Sequence, residues 1–154
     1  MNRVGAVLSP ERIRMDLFVV SKSQVLEEAG RLFASHEGCD AAQVAESLLA
    51  RERMGSTALG NGFAIPHARL KGLRQAAAAY LHLKFAVPFD APDGKPVSEV
   101  LVVLVPEQVA QDHLQLLAQA AEMFQDRQFR EHLRDQGDAD GVYRAFVDWP
   151  AIAK

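Results

Sequence analysis

The strongest constraint on how this chain can fold is Val100-Leu101-Val102-Val103-Leu104-Val105, six aliphatic residues with no polar position among them. A strand with one wetted face alternates apolar and polar residues, whereas one covered on both faces does not. Residues 97–105 therefore predict a strand inside a sheet with helices on both sides. Upstream, Leu81, Leu83 and Phe85 alternate with Tyr80, His82 and Lys84 at the period of a strand. Between the two runs, Ala91-Pro92-Asp93-Gly94 is a turn in which proline presets φ and glycine accepts a positive one. Residues 75–106 thus read as a β-hairpin. Ile13, Met15, Leu17 and Val19 form a shorter alternation that reads as an extended segment.

Helical signals surround the hairpin. Ser21-Lys22-Ser23-Gln24 has capping-box spacing, with Val20 and Val25 placed as a hydrophobic staple. Val25, Leu26, Ala29, Leu32, Phe33 and His36 follow at helical spacing and predict a helix over 22–36. Asp40 caps a second helix, in which Val44, Ser47, Leu48 and Arg51 share a face. After a polar connection over 107–112, Asp112 and Gln115 suggest another capping box. Leu114, Leu117, Ala118, Ala121 and Phe124 then form the expected buried face. Asp126 starts a helix through Phe129 and Leu133. Asp138 starts a last one through Val142, Ala145, Phe146 and Trp149, closed by Pro150.

At 154 residues without repeat or linker, this describes one α/β domain over 9–150, with residues 1–8 expected to be loose. A net charge of −3 leaves no basic footprint for nucleic acid and no polybasic membrane patch. The lone Cys39 cannot form an internal disulfide and fits a reducing compartment, with no basic neighbour to activate it. No stretch resembles a signal peptide or a membrane span, so the expected location is the cytoplasm.

The chemistry concentrates in Gly55-Ser56-Thr57-Ala58-Leu59-Gly60-Asn61-Gly62-Phe63-Ala64-Ile65-Pro66-His67-Ala68-Arg69. Gly55, Gly60 and Gly62 permit backbone angles and close approaches that a β-carbon forbids. Phe63-Ala64-Ile65 reads as a brief strand stopped by Pro66, which withholds a ladder donor. His67 is then expected just past a strand end, in a glycine-walled hollow. Imidazole keeps a large neutral, nucleophilic fraction near pH 7, so a nucleophile or general base is one reading and a hydrogen-bonded structural histidine the other. Arg51, in the last turn before this loop, is either an arginine with its stem packed and head in water or a fork for phosphate oxygens. His113, in the first turn of a helix, is either a partly exposed helix-start residue or a neutral donor, since the helix dipole disfavours its protonated form. A metal-dependent hydrolase built on His67, His82 and His113 lacks the close spacings of recognised sites. His82 reads as an outward strand residue, and His36 and His132 as helix-surface residues.

The segment Gly-Asn-Gly-Phe-Ala-Ile-Pro-His-Ala-Arg over 60–69 resembles the active-site segment of enzyme IIA proteins of the phosphoenolpyruvate-dependent sugar phosphotransferase system, fructose/mannitol class, and within it the nitrogen-regulatory branch. Residues 21–30, 48–57, 89–97, Leu104-Val105-Pro106-Glu107 and 113–118 are similar to further blocks of that family in the same order, so the resemblance spans about 8–148. It implies a mixed, mostly five-stranded sheet between helices. It also implies His67 as the phosphorylated nucleophile, His113 and Arg51 as groups that stabilise the phosphoryl group, and Gly55, Ser56, Thr57, Gly60 and Gly62 as the phosphoryl loop. No metal or cofactor is implied. The implied donor is a small phosphohistidine carrier protein, and the implied targets are a sensor kinase or a potassium transporter. The alternative within the family is a sugar-specific IIA passing phosphate to a IIB partner. Phe63 and Ala68 depart from positions often smaller or glycine in relatives, which is expected to tighten the loop around His67.

Overall fold

The computed structural model describes residues 1–108 and 110–150, apart from the side chain of His36, so the surface position expected of that ring lies outside what is described. The elements run α1 (Arg3–Val7), a 3-10 turn (Pro10–Arg12), β1 (Ile13–Leu17), α2 (Lys22–Glu37), α3 (Ala41–Arg53), β2 (Ala58–Gly60), β3 (Phe63–Ala64), β4 (His67–Leu70), β5 (Ala77–Val87), β6 (Val97–Pro106), α4 (Gln111–Gln125), α5 (Arg127–Arg134) and α6 (Ala139–Asp148). The hairpin β5–β6 is antiparallel and central, with β1 parallel to β5 on one side. On the other side β3 and β4 both run parallel to β6, and β2 pairs antiparallel with β3.

The apolar run in β6 is buried on both faces, as its composition requires. Val100, Val102 and Leu104 join Ala77, Ala79, Leu81 and Leu83 of β5 beneath α2 and α3. Leu101, Val103 and Val105 join Ala78 and Tyr80 beneath the other helices, where Phe124, Phe129 and Phe146 meet edge-on or stacked.

Several sequence expectations change. The sheet has six strands rather than five, because one line of pairing along β6 is cut in two at Ile65–Pro66. Pro66 has no N–H to give, but its carbonyl accepts from the Val103 N–H at 2.9 Å, so pairing resumes at once and His67 opens β4 instead of trailing a strand. The N-terminus is not loose: Asn2 caps α1 through the Gly5 N–H at 2.7 Å and donates its amide to Phe146 O at 2.6 Å, while Val4 and Leu8 are buried. A five-residue helix is too short to show an apolar period in sequence. Helix α4 starts two residues earlier than Asp112 predicts, with Ala110 at its N-cap, and it buries Leu116, Ala120, Met123 and Phe124 while Leu114 and Ala118 are exposed. Finally, the capping box of α2 is present through Ser21 and Gln24, but Val19 rather than Val20 turns into the core.

Phe63 is fully buried against Phe124, centroids 4.7 Å apart, and Ala68 faces the α2/α3 side. Neither crowds His67, contrary to the expected tightening of the loop.

Candidate functional site

His67 is half-buried at the start of β4, where the chain has just stepped around Pro66. Its Nδ1–H donates to the Ile65 carbonyl at 2.8 Å, which places the remaining lone pair on Nε2. Burial holds the ring below the ordinary histidine range. The Ile65 carbonyl pulls the other way, and the Arg51 guanidinium adds to the lowering. The ring is therefore neutral near pH 7. It opens into a cavity of about 220 Å³ lined by Arg51, Ser56, Thr57, Leu59 and Ile65 and roofed by Leu117 and Ala121 of α4. The wider cleft between α2 and α3, about 540 Å³, contains no histidine and offers no comparable chemistry.

The loop from α3 to β2 is held from both sides. Arg51 Nη1 donates to Gly55 O at 2.8 Å, which anchors the guanidinium at the cavity and leaves its other N–H groups for a ligand. Ser56 Oγ donates to Phe89 O at 2.6 Å and accepts from the Ala58 N–H. Sequence reasoning missed the buried Glu52. Its two oxygens accept from the Thr57 N–H at 3.0 Å and the Thr57 hydroxyl at 2.6 Å, and it pairs with Lys22 at 3.2 Å. For Lys22, burial acts to lower the pKa, but bonds to Asp90 and Glu52 outweigh it and raise the value. The signal was present in sequence: Val44, Leu48 and Glu52 form an i, i+4, i+8 stripe, so a carboxylate lies in line with two core residues.

Of the residues expected to form a phosphoryl loop, Ser56 and Thr57 line the cavity and Gly55 adjoins it through Arg51. Gly60 and Gly62 do not line it. They turn the chain between β2 and β3 with positive φ, next to Asp93 and Arg134, and a β-carbon on Gly62 would sit 2.8 Å from Arg134 Nη2. His113 does not line the cavity; it lies one turn before Leu117 on the same face of α4. Its Nδ1 accepts from the Ala110 N–H at 3.1 Å, which leaves Nε2 free of that contact.

His82 is only half-exposed and joins neither ring. Its Nδ1 meets the buried Glu99 at 2.9 Å, and Glu99 also accepts from the Tyr80 hydroxyl at 2.6 Å. The Glu99 bond raises the pKa of His82 against the opposing effect of burial, with Asp16 assisting. The stability this pair contributes is therefore full below the free-histidine value of 6.5 and is lost as pH rises through the raised folded value. Urea unfolding of wild type and His82→Gln across this range should converge at high pH, with a gap below about 1 kcal/mol at low pH because solvent screens this partly exposed pair. Among the described residues no group of three or more His, Cys, Asp and Glu side chains is placed to hold a metal, and no helix is long and apolar enough to cross a membrane. Burial, with Glu37 nearby, pushes the Cys39 thiol up, away from reactivity.

A neutral histidine and an arginine share one cavity, with a second histidine on the helix that roofs it, within the fold of a known class. Residues 6–148 match the family described as phosphoenolpyruvate-dependent sugar phosphotransferase system, EIIA 2, and the chain belongs to that family. Within it, the chain is 42% identical over 149 residues to the nitrogen regulatory protein of Pseudomonas aeruginosa, covering 96% of this chain and 97% of that one. Identity to the nitrogen regulatory protein of Bradyrhizobium diazoefficiens is 37% over 147 residues, 96% of each chain. The crystal structure of nitrogen regulatory protein IIA-Ntr from Neisseria meningitidis superposes with a TM-score of 0.88 at 41% identity, covering 94% of this chain and 99% of that one. IIA mannitol of Escherichia coli shares the fold at TM-score 0.74 and 18% identity. The family and its nitrogen-regulatory branch are those the sequence motifs resemble.

Proposed function

We propose that this protein takes a phosphoryl group on His67 Nε2 from the phosphohistidine of a small carrier protein and acts as a phosphorylation-dependent regulator in the cytoplasm. One observation carries the reading: Nδ1 is committed to the Ile65 carbonyl, so a neutral ring aims its free nitrogen into a cavity beside Arg51. In the transfer, the Nε2 lone pair forms a bond to phosphorus as the donor's N–P bond breaks, and that electron pair returns to the donor ring nitrogen. Such a loose, in-line transfer needs positioning and charge stabilisation more than nucleophilic strength. Arg51 and the His113 Nε2–H would hold the equatorial oxygens. Met54 and Leu114, both well exposed, stand on elements flanking the cavity and offer apolar contact to a carrier in a small, transient interface.

The phosphoryl group adds about −1.5 to −2 charges at the rim, enough to change which partner is accepted there. Similarity to nitrogen regulatory proteins favours regulation over passage of phosphate to a sugar-specific IIB partner. Incubation with phosphoenolpyruvate and the two general phosphotransfer proteins, followed by mapping, should give acid-labile phosphate on His67. Modification elsewhere, or none, overturns the proposal. Binding of a sensor kinase or a potassium transporter should then differ between the two states, whereas rapid transfer to a IIB protein would favour the sugar-specific role.

A further inference from the structure

The face of α5 turned toward the β2–β3 turn has no part in the chemistry above. Lys95, Arg127, Arg130 and Arg134 line one groove of about 440 Å³ together with Ser98, and Glu131 is the single carboxylate in its wall. Four cations against one acid stand out on a chain whose net charge is −3. Arg127 and Glu131 pair at 3.1 Å, both well exposed, so that contact neutralises little.

Two of the other cations are held by backbone carbonyls. Arg130 Nη1 donates to Phe124 O at 2.8 Å. Arg134 Nη2 donates to Asn61 O, and its guanidinium lies 4.8 Å over the Phe63 ring. Gly62 makes that approach possible, since a β-carbon there would collide with Nη2. Among the described residues, neither Arg130, Arg134 nor Lys95 pairs with a carboxylate. Asp93 spends its oxygens on the Asn61 and Lys95 backbone N–H groups, and the buried Glu99 accepts from Tyr80 and Ser98 and meets His82. A guanidinium fixed by one carbonyl keeps its full charge and four further N–H donors, a preorganised fork for phosphate oxygens.

We propose that this groove binds an anion carrying a diphosphate group. Arg127, Arg130 and Arg134 recur at i, i+3 and i+7, a stripe about 10 Å long that exceeds a single tetrahedral anion and suits two linked ones. The wall has no exposed ring on which a nucleobase could stack, as Phe63 is fully buried under Arg134. The groove is remote from His67. The Gly62 carbonyl meets β6 at Ser98 and His67 pairs at Val103, about 16 Å apart along the strand. The proposal is thus independent of phosphoryl transfer.

Calorimetric titration of the full chain with inorganic pyrophosphate, a nucleoside diphosphate and inorganic phosphate, at low and at physiological ionic strength, tests it. Pyrophosphate and the nucleotide should bind one to one with similar affinity, and phosphate about tenfold more weakly. Added salt should weaken all three. Arg130→Gln/Arg134→Gln should weaken pyrophosphate about tenfold or more, with phosphorylation of His67 unchanged. Should loss of the Asn61 contact disturb folding, Lys95→Gln/Arg127→Gln alters only exposed cations and should still weaken binding severalfold. A nucleotide binding far more tightly than pyrophosphate would identify the diphosphate's source as a nucleotide. No saturable binding of pyrophosphate, binding undiminished in both double variants, or binding of polyglutamate without pyrophosphate would overturn the proposal.

Discussion

His67→Ala should take up no phosphoryl group from phosphoenolpyruvate through the general phosphotransfer proteins, while folding nearly as stably as wild type. The ring is only half-buried and makes a single side-chain hydrogen bond, to the Ile65 carbonyl. Acid-labile phosphate persisting on the variant would remove His67 from its proposed role. Arg51→Ala should keep the fold and slow uptake by about 10²- to 10³-fold, the scale of losing one preorganised donor to a developing charge. The pH profile distinguishes chemistry from damage. Because burial and Arg51 hold His67 below the ordinary value of 6.5, wild-type uptake should stay level as pH falls through 6.5 and decline only below it. Removing Arg51 takes away one lowering influence, so the decline in Arg51→Ala should begin at higher pH. An unchanged profile would mean that the guanidinium does not act on the ring.

The legible parts of this molecule were those written in a repeating pattern. The two-faced apolar run of β6, the alternation in β5 and the caps at Ser21, Asp40, Asp126 and Asp138 each announce their element, because period and capping chemistry are local. What stayed hidden depended on partners distant in sequence. Helix α1 exists through Asn2 reaching Phe146 O, a contact across 144 positions. Strand β4 exists because β6 supplies a donor to the Pro66 carbonyl, which nothing near Pro66 reveals. The buried face of α4 is not legible from spacing because its apolar residues form two neighbouring stripes. Leu116, Ala120, Met123 and Phe124 pack on the sheet, while Leu117 and Ala121 roof the His67 cavity. Composition makes the loop glycines look like one wall, yet positive φ at Gly60 and Gly62 serves a turn that faces Arg134. His67, Arg51 and Ser56-Thr57 came together as expected because a short loop and one strand bridge join them.

Glu52→Ala is expected to lower stability by about 3 kcal/mol, since it strips two buried Thr57 donors of their acceptors. It should also slow phosphoryl uptake about ten- to hundredfold at saturating carrier, with carrier affinity unchanged, because misplacement by an ångström costs rate rather than docking. The connection is a chain of bonds. Glu52 fixes Thr57, the Thr57 carbonyl accepts from the Ile65 N–H at 3.0 Å, and the Ile65 carbonyl in turn holds His67 Nδ1–H. Glu52→Gln can offer its carbonyl to the Thr57 amide and its NH2 to the hydroxyl oxygen, losing only the charge opposite Lys22, which retains Asp90 at 3.0 Å. It should therefore behave nearly as wild type. Nitrogen-15 spectra of His67 should show one tautomer, protonated on Nδ1, in wild type and Glu52→Gln, and a mixture in Glu52→Ala. If Glu52→Ala is destabilised yet keeps a single tautomer and normal turnover, the carboxylate supports the fold alone. If tautomer and rate fail together and the glutamine restores both, Glu52 acts by positioning the ring.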